Sequence, residues 1–217
     1  MKLIDLSQPI EDGGPNCPVH PPVSVRRIAD HPNDGWRMEL LTLASHTGSH
    51  IDAPLHKLAD GASIDQFALN TFVGPAVVVD LRDLGADAPI TANHLETRAY
   101  TNLDDCIVLL ATGWGDRRAK TEEWHAHSPF LTADAARWLV SRKIRAVGID
   151  HYSIGGSREP ENSKTHEVLL GARKWILEDI HIPEELFSLS PRFTLWALPI
   201  NLARHSGSFC RPVVVIP

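Results

Sequence analysis

Residues 45–56 read Ser45-His46-Thr47-Gly48-Ser49-His50-Ile51-Asp52-Ala53-Pro54-Leu55-His56 and place His46, His50, Asp52 and His56 at even positions. In an extended chain alternate residues project to one side, so these four face one cavity if the segment is strand-like. A helix would pair His46 with His50 but swing Asp52 away, and Thr47, Gly48, Ile51 and Pro54 all disfavour it. The helical zinc-protease motif also needs Glu directly after its first His, where this chain has Thr47. A straight strand fails as well. It would hold His46 and His50 about 13 Å apart, whereas metal bonds are ~2 Å long. The segment must therefore bend, and Gly48 and Pro54 are the residues that permit it.

Two imidazoles and a carboxylate match a three-ligand metal site with one position left for water, the pattern of catalytic rather than structural zinc. Water at such a site ionises near pH ~7. His56, four residues beyond Asp52, then suits the role of proton shuttle, its ordinary pKa of about 6.5 allowing it to take a proton from water and give it to a leaving amine. The competing reading is a polar loop whose histidines bond to backbone groups.

Outward from this segment, β-branched apolar runs at Lys2 to Leu6, Met38 to Ala44, Ala76 to Leu81, Cys106 to Ala111, Ala146 to Ile149, Phe193 to Leu198 and Val213 to Ile216 predict strands. Thr91 caps a predicted helix through about Ala99, and Thr132 caps another from Ala133 to about Arg142. The ends of the chain join strands through Pro- and Gly-rich loops, at Glu11 to Pro22 and Ala203 to Pro212. The pattern predicts one mixed-sheet α/β domain over residues 1–217. A second cluster lies at Thr165-His166-Glu167, opening a short helix that Gly171 ends, followed by extended Trp175-Ile176-Leu177-Glu178. In one continuous helix His166 and Glu178 would be about 18 Å apart, so the break is needed before both can meet one ion. A surface His and Glu is the competing reading, unless Asp52 bridges two cations.

Composition narrows the function classes. The 217 residues are 43% hydrophobic and 22% charged, with net charge −6 and no Lys/Arg run, which argues against nucleic acid or anionic lipid as partner. Twelve histidines stand against two tyrosines. Cys17, Cys106 and Cys210 are too few and scattered for a disulfide framework and suit a reducing compartment, so the cytoplasm is expected. Asp5 interrupts what a signal peptide would need to be apolar, and nowhere do 18 apolar residues run together. Cys106 reads as core, and no nucleophile elbow, phosphate loop or dinucleotide fingerprint is present. His151 reads as structural, His125 as solvated, and His20 and His205 as candidates for substrate contact.

The segment His46 to His56 resembles the signature of the metal-dependent cyclase family, which includes bacterial kynurenine formamidase (arylformamidase) and isatin hydrolase. Ile4-Asp5-Leu6-Ser7 with Pro9-Ile10, Ala111-Thr112-Gly113-Trp114, Val147-Gly148-Ile149-Asp150, His166 through Leu170 and Ile176-Leu177-Glu178 are similar to the family's other landmarks, in order. The resemblance implies a swivelling β/β/α-type mixed sheet with a barrel-like core and flanking helices. It also implies a homodimer or homotetramer and a divalent-metal amide hydrolase. By the same resemblance His46, His50 and Asp52 bind one zinc, while Asp52, His166 and Glu178 bind a second. His56 becomes the acid/base catalyst, and manganese is the alternative metal. One departure is the loop Glu11 to Pro22, which has no Trp, Phe or Tyr where the formamidases bring an aromatic residue to the substrate ring. The expected reaction is attack of activated water on the carbonyl of a small amide, linear or cyclic. A cyclase or dehydratase, or a metal-dependent binding protein without chemistry, are the alternatives.

Overall fold

Every residue of Ile107–Ala111 is buried, as a strand covered on both faces requires. The computed structural model describes residues 1–99, 102–189 and 192–216. Its strands are β1 (Lys2–Asp5), β2 (Ser24–Ala29), β3 (Met38–Thr42), β4 (His50–Asp52), β5 (Val73–Asp80), β6 (Pro89–Ile90), β7 (Ile107–Ala111), β8 (Phe130–Leu131), β9 (Ala146–Ile149), β10 (Trp175–Glu178), β11 (Phe193–Trp196), β12 (Gly207–Phe209) and β13 (Val213–Ile216). The helices are α1 (His31–Asp34), α2 (Ala92–Arg98), α3 (Glu122–Ala126), α4 (Ala133–Ser141) and α5 (Glu161–Gly171).

One curled nine-stranded sheet runs in the order β1-β13-β11-β5-β7-β9-β10-β4-β12. Its centre, β5, β7, β9 and β10, is parallel. Antiparallel strands flank it, β4 and β12 on one side and β11, β13 and β1 on the other. This is the mixed α/β arrangement with a barrel-like core that the resemblance implied. Alternation along the strands feeds two cores. Val77, Val79, Val108 and Leu110 pack with Leu95, Ala135, Leu139 and Leu169 of the helices. Ala76, Ile107, Leu109 and Leu177 pack on the other side with Leu6, Phe72 and Leu186. Each buried Leu, Ile or Phe contributes about 1.5–3 kcal/mol of transfer free energy.

Thr91 and Thr132 cap α2 and α4 as expected, each side-chain oxygen accepting a backbone N–H three residues on. The helix bearing His166 ends at Gly171 as expected but begins at Glu161 rather than Thr165. Its N-cap, Pro160, has no side-chain acceptor, and Glu159 Oε2 takes the N–H of Ser163 in the first turn at 3.2 Å. Glu161 accepts the N–H of Ala133, a contact only the fold creates. The segment Ala203 to Pro212 is not simply a loop: it contains β12, which pairs with β4. Strand β2, also unforeseen, forms with β3 a separate two-stranded hairpin.

Candidate metal centre

The site is assembled by four local conformations in eleven residues. His46 lies in a turn, Gly48 takes φ +62°, His50–Asp52 is strand β4, and Pro54–His56 is a 3-10 turn. The bends fall at Gly48 and Pro54, as the distance argument required. At Gly48 a Cβ would meet Ile10 Cγ1 at 2.8 Å, so both the left-handed backbone and the close packing demand glycine. Within β4, His50 and Asp52 share a face. Antiparallel pairing then sets Glu178 of β10 opposite His50, and Gly207 of β12 opposite Asp52.

Five donors converge on Asp52, which is fully buried. His46 Nδ1 lies 2.7 Å from Asp52 Oδ1, and His50 Nε2 lies 3.4 Å from the same oxygen. His166 Nε2 lies 3.6 Å from Asp52 Oδ2 and 3.3 Å from Glu178 Oε1, while His50 Nε2 lies 3.4 Å from Glu178 Oε2. Among the described residues two donor triads close to within 4.8 Å, His46/Asp52/His56 and His50/Asp52/Glu178. Asp52 belongs to both, so it is placed to bridge, although the partition differs from the one implied by resemblance. His50 groups with Glu178, and His46 stands nearest His56, their ring centroids 4.1 Å apart.

The second layer fixes the tautomers. His50 Nδ1–H donates to Gly48 O at 2.8 Å and His166 Nδ1–H donates to Asn162 O at 2.8 Å, which leaves each Nε2 lone pair directed inward. Glu178 Oε1 accepts Ile154 N–H at 2.7 Å. Asp52 Oδ2 is buried and has no hydrogen-bond partner among the described residues, and an orphaned carboxylate oxygen at a convergence of imidazoles fits a divalent cation. Electrostatics agree. Burial alone would lower the pKa of His166, but the carboxylates of Glu178 and Asp52 outweigh it and raise it to about 9. Burial opposes the charge of His50 too, and Asp52 and Glu178 again prevail, raising it well above the usual value. Two buried carboxylates thus require positive charge, which a cation supplies in place of protons.

His56 differs. Burial lowers its pKa against the pull of Asp52, and His46 and His166 lower it further, so the ring is neutral near pH 7 and competent as a base. It opens onto a cavity of about 600 Å³ that His46, His50, His166 and Glu178 also line. His20 lines it as well, 6.4 Å from His46 between ring centroids, together with Cys17, Pro18 and Val19 of the Glu11 to Pro22 loop. His205 does not: it is exposed, with Nδ1 on Ala203 O. His151 is structural, its Nε2–H donating to Trp124 O at 2.8 Å and its Nδ1 accepting from Ser128. Cys106 is fully buried in the core.

Sequence reasoning missed several participants. Gly207 leaves room for His46, since a Cβ there would stand 2.5 Å from His46 Cε1. Ser206 Oγ lies 2.9 Å from His46 Nε2. Tyr152 and His125 form a cavity wall, with Tyr152 Oη donating to His125 O at 2.5 Å. The pairing of β12 with β4 and the approach of α3 to the segment after β9 bring these residues here, so spacing gave no signal for them.

The family model described as "Putative cyclase" matches residues 4–155. Isatin hydrolase A from Ralstonia solanacearum is similar at TM-score 0.83 and 25% identity, over 100% of this chain and 92% of that one. A structure described as a potential metal-dependent hydrolase with cyclase activity is similar at TM-score 0.80 and 28% identity, over 100% and 99%. A predicted metal-dependent hydrolase from Bacillus stearothermophilus is similar at TM-score 0.79 and 27% identity, over 98% and 97%. The matched signature region contains His46, His50, Asp52 and His56, and the chain belongs to the cyclase family.

Proposed function

We propose that the protein is a divalent-metal-dependent hydrolase that cleaves the C–N bond of a small amide, with zinc or manganese held by His46, His50, Asp52, His166 and Glu178. The carrying observation is the buried, partnerless Asp52 Oδ2 facing His166. Metal-dependent hydrolases among the similar structures support the same reading. A cation held there polarises a carbonyl and makes water more acidic. His56, neutral and open to the cavity, takes the proton from the attacking water and returns it to the departing nitrogen. Ser206 Oγ, 2.9 Å from Nε2, holds the His46 ring with Nδ1 toward Asp52, and Tyr152, Pro18 and Val19 line the space around the substrate. His20 is assigned to substrate contact.

An arylformamidase needs a linear formamide, an isatin-type enzyme a cyclic amide. The likeness to isatin hydrolase A favours testing the cyclic substrate alongside the linear ones. Assembly into a homodimer or homotetramer is part of the proposal, as is action in the cytoplasm. Among the described residues no helix is long and apolar enough to cross a membrane.

The test is elemental analysis of protein purified without chelator, followed by formanilide, N-formylkynurenine and isatin assays. Two metal equivalents and hydrolysis support the bridged centre; one equivalent removes a site. His56→Ala is expected to keep metal and lose at least about a hundredfold in kcat, while Asp52→Ala loses metal and turnover together. Full turnover by His56→Ala would remove it from the mechanism. Loss of water from the substrate, read by mass, would instead mark a cyclase or dehydratase.

A further inference from the structure

The metal-binding side chains occupy the floor of the cavity, and one fixed cation stands on its wall. Lys57 follows His56 directly, its side chain is 28% exposed, and it is the only Lys or Arg among the described residues lining this cavity. Its ammonium donates to Ser163 Oγ of α5, a neutral partner that also lines the cavity. Glu167, 3.6 Å away, approaches from outside the lining and is itself mostly exposed, so it screens the charge only weakly. An ammonium carries three donors, and Ser163 and Glu167 engage at most two.

Asn162, beside Ser163, extends the same wall. Its Oδ1 accepts from Ser153 Oγ at 2.8 Å, which turns the amide so that its Nδ2 donor group lies on the other branch. Two carboxylates line the cavity: Glu178, which faces the imidazoles of His50 and His166, and Glu159, which is exposed and accepts the N–H of Ser163 at 3.2 Å. The lining also includes Pro18, Val19 and Tyr152, none of them charged.

We infer that this wall selects substrates carrying a carboxylate in addition to the scissile amide, with Lys57 pairing the carboxylate and Asn162 and Ser163 completing its hydrogen bonds. The inference rests on the amide-hydrolase reading and deepens it, by naming an anionic amide as the substrate class. Lys57 is here a specificity-determining residue and takes no part in bond cleavage. Both of its neighbours in the argument sit one turn before His166 on α5, so the carboxylate would lie beside the centre and orient the amide toward His56.

The experiment compares N-formylanthranilate with formanilide, which share a ring and formamide and differ by one carboxylate, using zinc-loaded protein. The wild type is expected to favour the anionic member in kcat/KM by about tenfold, the usual scale of one hydrogen bond to a charged group. Lys57→Met is expected to abolish that ratio through KM, Lys57→Arg to restore part of it, and added salt to erode it in the wild type. Glu167→Gln, which removes the competing carboxylate, is expected to keep or widen it. A ratio near one in the wild type, or equal losses on both substrates in Lys57→Met and Glu167→Gln, would make the Lys57–Glu167 pair merely structural and overturn the inference. Hydrolysis of neither compound would count against the amide-hydrolase reading alone. Thermal melting then decides separately: stabilisation by N-formylanthranilate that Lys57→Met loses supports the anion site, and none in the wild type overturns it.

Discussion

At residue scale the centre depends on side chains that are absent as much as on those present. Gly207 faces Asp52 across β12 and β4, and a methyl group there would strike His46 Cε1 and Ile51 O, each 2.5 Å away. Because Ile51 O belongs to backbone, β12 must shift against β4 and His46 must yield as well. Gly207→Ala is therefore expected to weaken metal binding about tenfold or more while costing about 1–3 kcal/mol of stability, the range for overpacking; competitive zinc titration and urea melts measure the two. Binding equal to wild type would mean that His46 is not a ligand. His151 supplies a pH test. Burial depresses its pKa, and the neutral ring donates to Trp124 O and accepts from Ser128. The unfolded chain takes up a proton below about pH 6.5 that the folded ring resists. Its contribution to stability is therefore full above that value and is lost as pH falls through the depressed folded pKa. The gap in Tm between wild type and His151→Gln is expected to narrow from pH 7 to pH 5, and a constant gap would refute this account.

Between elements, Arg118 fastens the N-terminal loop to the strand that bears Glu178. Its guanidinium donates to both oxygens of Asp179 at 2.9–3.0 Å, to Pro15 O at 2.9 Å and to Pro9 O at 3.2 Å. Asp179 directly follows Glu178, and the clamped loop carries Cys17 and His20 into the cavity. Both partners are buried, with side chains 7% and 2% exposed. Removing one leaves an uncompensated charge, so Arg118→Met is expected to cost about 3–5 kcal/mol. Denaturant unfolding at neutral pH checks it, and a loss under ~1 kcal/mol would place the pair with weak surface bridges. The helix caps are a milder case: Thr132→Ala should cost about 1 kcal/mol. The caps at Thr91 and Thr132 were readable in the chain because capping is a contact within three residues. The start of α5 was not, because Glu161 spends its carboxylate on another helix.

On the scale of the whole molecule, the strands of hairpin β2–β3 pair, among the described residues, with each other alone, and the hairpin exposes Ile28, Met38, Leu40 and Leu41, with Trp36 near its turn 65% exposed. An isolated hairpin is marginal in water, and a surface of this kind is the natural contact of the proposed homodimer. Met38→Glu with Leu40→Glu is expected to shift sedimentation toward monomer; an unchanged species would move the contact elsewhere. Strands β1, β3, β5, β7, β9, β10, β11 and β13, the Thr-capped helices α2 and α4, and the four residues His46, His50, Asp52 and His56 with their bends at Gly48 and Pro54 were legible in the sequence alone. Alternation, capping and glycine dihedrals act over a few residues, so the chain carries them wherever it lies. What the tertiary structure decided is how donors are shared around Asp52, the approach of His166 and Glu178, the room left by Gly207, and Lys57 on the cavity wall. Those depend on which strand hydrogen-bonds beside which, β12 and β10 against β4, and pairing between segments distant in the chain is governed by burial across the whole sheet rather than by any local pattern.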